Sequence, residues 1–301
     1  MKMVAELLAL TLLRTQAAAM VAVLLVLLLR GPTRRLFGAR LAYRLWALVP
    51  VAAIATVFPS LSETLGSGAP PTLMGEERAV LVLAVWLAGG VALATAILLQ
   101  ERAFRARAEA GRAGPAVMGV FWPRVVLPAD FAARFDEQAR KMVDLHERAH
   151  IKRGDPLANL VIASVQVLGW CNPLIHLGAL CARLDQEMAC DATVLSLRPN
   201  LRRTYAQALV EAHTRRTGSP LACFFAAHPL LLRVKLLALP EPSNRRQTAG
   251  AAAIALLAVV TALGVWTVTP RGPLPNQEIS WPGRFVGDSP VDGITLPKLH
   301  R

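Results

Sequence analysis

Four long apolar stretches constrain this chain more than any other feature, because each is close to the 20 or so residues of helix that cross a hydrocarbon core. They run over Leu7–Leu29, interrupted by Arg14, Thr15 and Gln16; over Leu41–Phe58, with Arg44 near one end; over Ala79–Leu99, without a charge; and over Gly250–Val268, equally clean. The remainder does not dilute them to the balance of a water-soluble globule. Of 301 residues 54% are hydrophobic and 18% charged, and the mean hydropathy is +0.43, which excludes disorder. A cleaved signal peptide is the alternative for the first stretch. Against it stand a run longer than an ordinary signal core and Leu27-Leu28-Leu29-Arg30, which is no small-residue cleavage site.

Basic residues then orient the spans, since cytoplasmic loops collect Lys and Arg. Residues 30–44 hold five Arg and no acid, and residues 100–249 hold 21 basic against 13 acidic side chains; together these two segments account for the whole net charge of +13. The stretch from Ser60 to Arg78 carries Glu63, Glu76 and Glu77 against one Arg. The expected topology places the N-terminus, residues 60–78 and the tail from Pro270 outside, with residues 30–40 and 100–249 inside. Arg102, Arg105, Arg107 and Arg112 then read as juxtamembrane anchors facing anionic lipid. Neither a basic face interleaved with aromatics nor a recognition helix accompanies them, so direct nucleic-acid binding is not expected. Cys171, Cys181, Cys190 and Cys223 contain no CxxC pair and suit four free thiols in a reducing compartment.

About 150 residues lie between the third and fourth stretches, enough for one domain. Pro115–Leu127 predicts two short β segments broken by Pro123, and Phe131–Arg153 predicts a helix closed by Gly154. Asp155-Pro156 and Asn172-Pro173 read as helix starts, with an N-cap acceptor followed by Pro at the first helical position. Helices are expected over Pro156–Gly169, Pro173–Leu197, Asn200 to about His213, and Pro229–Leu239.

Within the first of these helices stands His146-Glu147-Arg148-Ala149-His150. Four-residue spacing puts both imidazoles on one helical face, where they can share a zinc ion, and sets Glu147 beside them as general base on water at the metal. The plain alternative is an amphipathic helix with two surface histidines. A catalytic zinc wants a third protein ligand, for which Glu187 is the best candidate. Glu187 and Asp191 are also four apart, so one carboxylate can bind metal while the other accepts the free ring N–H of a ligating histidine. Otherwise the pair forms an exposed helical stripe.

These residues carry a family resemblance. HERAHIKRGDPLANL, then WCNPLIH and LDQEMACDATVL, closely resemble the membrane-embedded metallopeptidases of the BlaR/MecR antirepressor family, which belong to the gluzincins. The family pattern of HExxH, R-x-D, W-x-N-P and E-x-x-x-D falls on His146–His150, Arg153 and Asp155, Trp170–Pro173, and Glu187 and Asp191. The resemblance implies His146, His150 and Glu187 as zinc ligands, Glu147 as base and Asp191 as the acid behind a ligand. It also implies that the VMGVFWPRVVLP segment supplies an edge strand for an extended peptide. Family members that sense β-lactams carry a large penicillin-binding domain after the last span, whereas 32 residues follow here, so direct β-lactam binding is not expected.

The expected architecture is mainly α. It is a polytopic membrane protein with four transmembrane helices and a cytosolic zincin-like α+β peptidase domain inserted between the third and fourth. The divisions are residues 1–99, 100–249, 250–269 and a proline-rich extracytoplasmic tail, 270–301. The expected function is a zinc endopeptidase of the bacterial inner membrane. By resemblance, its partners are a cytosolic winged-helix repressor or the peptidase itself as substrate, together with membrane lipid. A non-catalytic signal transducer and a membrane quality-control protease are the alternatives. Among lesser candidates, Asp155 reads most simply as an N-cap, with orientation of the motif helix as a second role; Tyr205 and His228 are possible oxyanion donors. His176 and His213, like His228, read most simply as structural with an oxyanion role as the alternative, and Cys190 reads as a buried thiol pointing off the Asp191 face, with a thiolate ligand as the alternative. Arg148, Lys152 and Arg153 are expected to face solvent or membrane, and Trp46, Trp86 and Trp266 to anchor or pack the spans.

Overall fold

Apolar continuity produces long helices in three of the four stretches. A computed structural model of the chain describes residues 2–58, 75–212, 223–224, 230–237, 240 and 242–267. Its first helix, α1, covers Lys2–Phe37. Gly38 reverses the chain into α2 (Ala39–Arg44), a 3-10 turn (Leu45–Ala47) and α3 (Leu48–Ala55). The second apolar stretch is therefore helical over 39–55 but built in three pieces. Pro50 is the physical reason: its ring excludes a regular helix bond to the carbonyl of Trp46, four residues back, and the chain tightens there. Residues 59–74, most of the expected outer loop, lie outside the described residues. The next helix is α4, Glu76–Glu109.

The segment after α4 changes to short elements. Strands β1 (Ala116–Met118) and β2 (Arg124–Val126) pair antiparallel, with Val117 opposite Val125. Helix α5 (Phe131–Arg134) and α6 (Glu137–Arg153) replace the single helix expected over Phe131–Arg153. The break falls at Phe135-Asp136, where the Asp136 carboxylate accepts the Ala139 N–H at 2.7 Å and caps α6 afresh. Helices α7 (Asp155–Leu168) and α8 (Pro173–Leu197) follow, the latter capped by Asn172 accepting from the Leu174 N–H at 3.1 Å. A 3-10 turn (Pro199–Leu201) leads into α9 (Arg202–Ala212). Strand β3 (Cys223–Phe224) joins β1 to give the order β2-β1-β3, leaving β2 at an edge. Helix α10 (Leu230–Leu237) and α11 (Asn244–Thr267) complete the described chain. The proline-rich tail, His213 and His228 lie outside the described residues.

Among the described residues three helices are long and apolar enough to cross a membrane: Val4–Phe37, Glu77–Glu109 and Asn244–Thr267. The fold is mainly helical, and these helices make the chain a multi-pass membrane protein.

Helix α8 serves two cores at once. One of its faces gives Ile175 and Ala182 to a cluster with Val23 and Val26 of α1, Trp46 of the 3-10 turn, and Leu48 and Val49 of α3. The other gives Cys190 and Val194 to a cluster with Met142 and Val143 of α6 and Leu209 of α9. Each fully buried aliphatic side chain of this size contributes roughly 1.5–3 kcal/mol. A polar clamp reinforces the first face. Asp185 receives Nη2 of Arg30 at 3.2 Å, Nη2 of Arg34 at 3.2 Å and the indole N–H of Trp46 at 2.8 Å. Trp46, expected as an anchor or packing residue, thus ties the apolar helices to α8. Trp170 does the same for α4, its indole resting on Gly89 and donating to the Trp86 carbonyl at 3.0 Å. A Cβ at Gly89 would stand 2.1 Å from that ring, so the contact requires glycine. Trp86 in turn donates to the Leu168 carbonyl at 2.8 Å.

Candidate metal centre

Helix α6 delivers its motif into the interior because its apolar face is continuous with it. Met142, Val143, His146, Glu147, Ala149 and His150 are all buried, while Arg148 points outward and pairs with Asp144 at 2.7 Å. Gly154 ends the helix in the left-handed region, φ 73°, and is at once the residue from which α7 starts. That single-residue reversal swings Asp155 beneath His150. Its carboxylate oxygen lies 2.7 Å from His150 Nδ1. The N-cap reading of Asp155 is therefore corrected: Gly154 occupies that position, and the carboxylate is turned to the imidazole. Arg153 is also not at the surface. It is largely buried, 3.4 Å from Asp155, with its guanidinium 5.1 Å above the Tyr43 ring.

The second half of the site comes from α8. Glu187 brings Oε2 to 3.4 Å from Nε2 of His146 and Oε1 to 3.5 Å from Nε2 of His150, and the two Nε2 atoms are 3.0 Å apart. Hydrogen bonding assigns the tautomers. The Tyr205 hydroxyl donates to Asp191 Oδ1 at 2.6 Å, so it accepts the Nδ1–H of His146 at 2.7 Å. The Nδ1–H of His150 goes to Asp155. Both imidazoles therefore aim Nε2 lone pairs at one point, which a carboxylate also faces. Three acceptors so close repel one another unless a cation lies among them. Ligands of a tetrahedral zinc at about 2.0–2.1 Å stand about 3.3 Å apart, so this donor set fits the ion.

Asp191 does not reach the imidazole as expected. It stands 3.5 Å from His146 Nδ1, and Tyr205 is interposed as a relay. The reason is Arg233 of α10, a fully buried guanidinium that grips Asp191 at 2.8 Å through Nε and 2.6 Å through Nη2, and approaches Glu187 Oε2 at 3.3 Å through Nη1. Sequence reasoning missed Arg233; the available signal was a basic residue inside the apolar run LLLRVKLL. Cys190 lies near the histidines, its Sγ within 4.8 Å of their nitrogens. Its S–H is spent on the His146 carbonyl at 3.3 Å, whereas Glu187 presents a charged donor at 3.4 and 3.5 Å from the two Nε2 atoms. His176 is structural, held by the Trp170 carbonyl at 2.8 Å and by Gln166.

Charge states follow from burial and neighbours. Burial, helped by Arg233, lowers the His146 pKa to about 3, which keeps the ring a neutral donor. Burial pushes Asp191 up, but Arg233, with His146 and Tyr205, outweighs it and leaves the carboxyl below its ordinary range. For Arg233 the opposite balance holds: burial lowers it and Asp191 more than compensates, so it stays charged. Burial and the Asp191 charge raise the Tyr205 phenol well above its usual value. Glu147 is fully buried, neither carboxylate oxygen has a hydrogen-bond partner, and burial with the nearby Glu187 charge raises it well above the ordinary carboxylate. A buried acid without partners is costly unless something arrives to use it.

Two imidazoles and a carboxylate converge beside an unpartnered acid, on helices packed against apolar helices of spanning length, as a candidate metal centre. The chain belongs to the BlaR1 peptidase M56 family, whose sequence model matches residues 10–81 and 107–237. It is also similar to Regulatory protein BlaR1 of Bacillus licheniformis, with 33% identity over 111 residues. The aligned stretch is 36% of this chain and 18% of that protein, so the chain matches less than a fifth of its relative's length.

Proposed function

We propose that the protein is a zinc endopeptidase of membrane signal transduction, in which His146, His150 and Glu187 hold the metal and Glu147 is the base. The convergence of two Nε2 lone pairs and the Glu187 carboxylate within 3.0–3.5 Å of one another carries this reading. When bound, zinc would polarise the scissile carbonyl and acidify water. Glu147, dry and raised in pKa, takes the proton of the attacking water and returns it to the leaving amine. Asp155 holds His150, and Asp191 through Tyr205 holds His146, each in the tautomer that leaves Nε2 free. Edge strand β2 offers unpaired backbone groups on which an extended peptide can lie. Tyr205 is committed to His146 and Asp191.

On this reading residues 1–99 and 250–269 form a four-span membrane part of the inner membrane. Residues 100–249 form the cytosolic peptidase domain, and the tail from 270 is extracytoplasmic. The broken helix over 39–55 is the remaining span. Arg34 and Arg35 in the last turn of α1, Arg107 in that of α4, and Arg245 and Arg246 at the start of α11 support the orientation. The substrate is a cytosolic protein, a winged-helix repressor or the chain itself, which the resemblance supports. Purified protein and its Glu147→Ala variant test the proposal. Both should hold one zinc, and only the wild type should cut; cleavage by the variant overturns it.

A further inference from the structure

We infer that a basic cavity at the foot of the membrane helices holds the phosphate headgroup of an anionic phospholipid. The cavity, about 950 Å³, lies where the end of α1, the turn at Gly38 and the start of α11 meet α8, α9 and α10. Arg34, Arg35, Arg40, Arg202 and Arg246 line it, against one acid, Asp191, among the described lining residues. That acid is held by Arg233 at 2.6 Å. Arg34 is bound to Asp185 at 3.2 Å, and Arg40 donates to Gln247 at 3.2 Å. Arg35 of α1, Arg202 of α9 and Arg246 of α11 remain, with no carboxylate partner among the described residues.

Three arginines from three separate helices thus line a shared hollow, and Arg35 and Arg246 are exposed, so an anion entering it can be met from three sides. A phosphate suits them best, since guanidinium binds it bidentately. The N-terminal turn of α11 also opens on the cavity through Ser243, Arg246 and Gln247, adding the positive end of a 24-residue helix. The rest of the wall is apolar, from Phe37, Leu195, Leu236 and Leu237. An amphipathic hollow beside helices of spanning length fits a headgroup with its glycerol and upper acyl chain, and basic pockets between membrane helices are a recurrent site for acidic lipid. A general juxtamembrane anchor needs neither a hollow nor a contribution from α9. Met188 and Asp191 of α8 form part of the wall, so the lipid touches the helix that carries Glu187.

The test uses full-length protein released from bilayers of equal phosphatidylglycerol and phosphatidylcholine and weighed by native mass spectrometry. Phosphatidylglycerol should be retained roughly tenfold or more over phosphatidylcholine. The variant Arg35→Gln/Arg202→Gln/Arg246→Gln should lose that preference while keeping its zinc content. Equal retention of both lipids by the wild type overturns the proposal, as does undiminished preference in a folded variant. The wild-type comparison decides by itself if the variant fails to fold. In a third arm, inorganic phosphate added to the delipidated protein should leave its melting temperature unchanged where phosphatidylglycerol raises it. An equal rise with phosphate makes the ligand a free anion and rejects the lipid.

Discussion

The Tyr205 hydroxyl stands 2.7 Å from Nδ1 of His146 and donates its own hydrogen bond to Asp191, 2.6 Å away. A phenol therefore fixes the tautomer of a proposed zinc ligand, with a carboxylate behind it. Removing the hydroxyl in Tyr205→Phe leaves Nδ1–H without its acceptor, and loss of such an outer partner typically costs 10–100-fold in metal affinity, so a drop of about that size is expected. Competition against a chelator measures it, and unchanged affinity would reject the relay.

Asp155→Asn should weaken zinc similarly, because a neutral amide replaces the carboxylate that His150 uses. Helix α7 should survive intact, since Gly154 and not Asp155 occupies its cap position. Circular dichroism alongside zinc titration separates the two effects; loss of helix without loss of zinc would return Asp155 to a purely capping role.

Arg233→Met should be severely destabilising, leaving Asp191 and Glu187 buried with their neutralising cation gone. Breaking a buried ion pair on one side costs about 3–5 kcal/mol, whereas replacing both partners by apolar groups is often nearly neutral. Arg233→Met/Asp191→Leu should therefore melt well above Arg233→Met. Equal melting of the single and double variants contradicts the charge account.

Asp185→Asn should loosen α8 from α1 without touching the donor atoms, because Arg30 and Arg34 lose a shared carboxylate with only 1% of its surface exposed. Spin labels on α1 and α8 should report a broader distance distribution while zinc affinity holds. A narrow, unchanged distribution shows that apolar packing alone fixes the pair.

Zinc itself should stabilise the fold. At a free concentration about 100 times Kd, a ligand specific for the native state adds about 2.7 kcal/mol, so stripping the metal should lower the melting temperature and restoring it should raise it again. Glu187→Ala should respond far less; an equal response would remove Glu187 from the donor set.

What the sequence made legible follows from range. His146 and His150, or Glu187 and Asp191, lie one helical turn apart, so their spacing alone places them together. Asn172 and Gly154 announce helix boundaries through local backbone chemistry. Tyr205 and Arg233 join the site across 59 and 42 residues, and no periodicity encodes a closure of that length. Asp155 was ambiguous because the same carboxylate can cap a helix or hold an imidazole, and only the left-handed turn before it decides. Hydropathy likewise registers that Leu41–Phe58 is apolar but not that a 3-10 turn at Leu45–Ala47 divides its helix.

The reversal at Gly154 also bears on how the site comes into being. His150 and Asp155 are five residues apart, so their contact closes a very short loop at little entropic cost, while Tyr205 and Arg233 must wait for distant chain to return. The proposed site should thus assemble in two stages. The histidine pair with its orienting acid forms early as helix α6 turns into α7, and the carboxylate half is added when α8 docks. Pulsed hydrogen exchange during refolding should protect residues 146–155 ahead of α9; simultaneous protection would mean that the two halves form together.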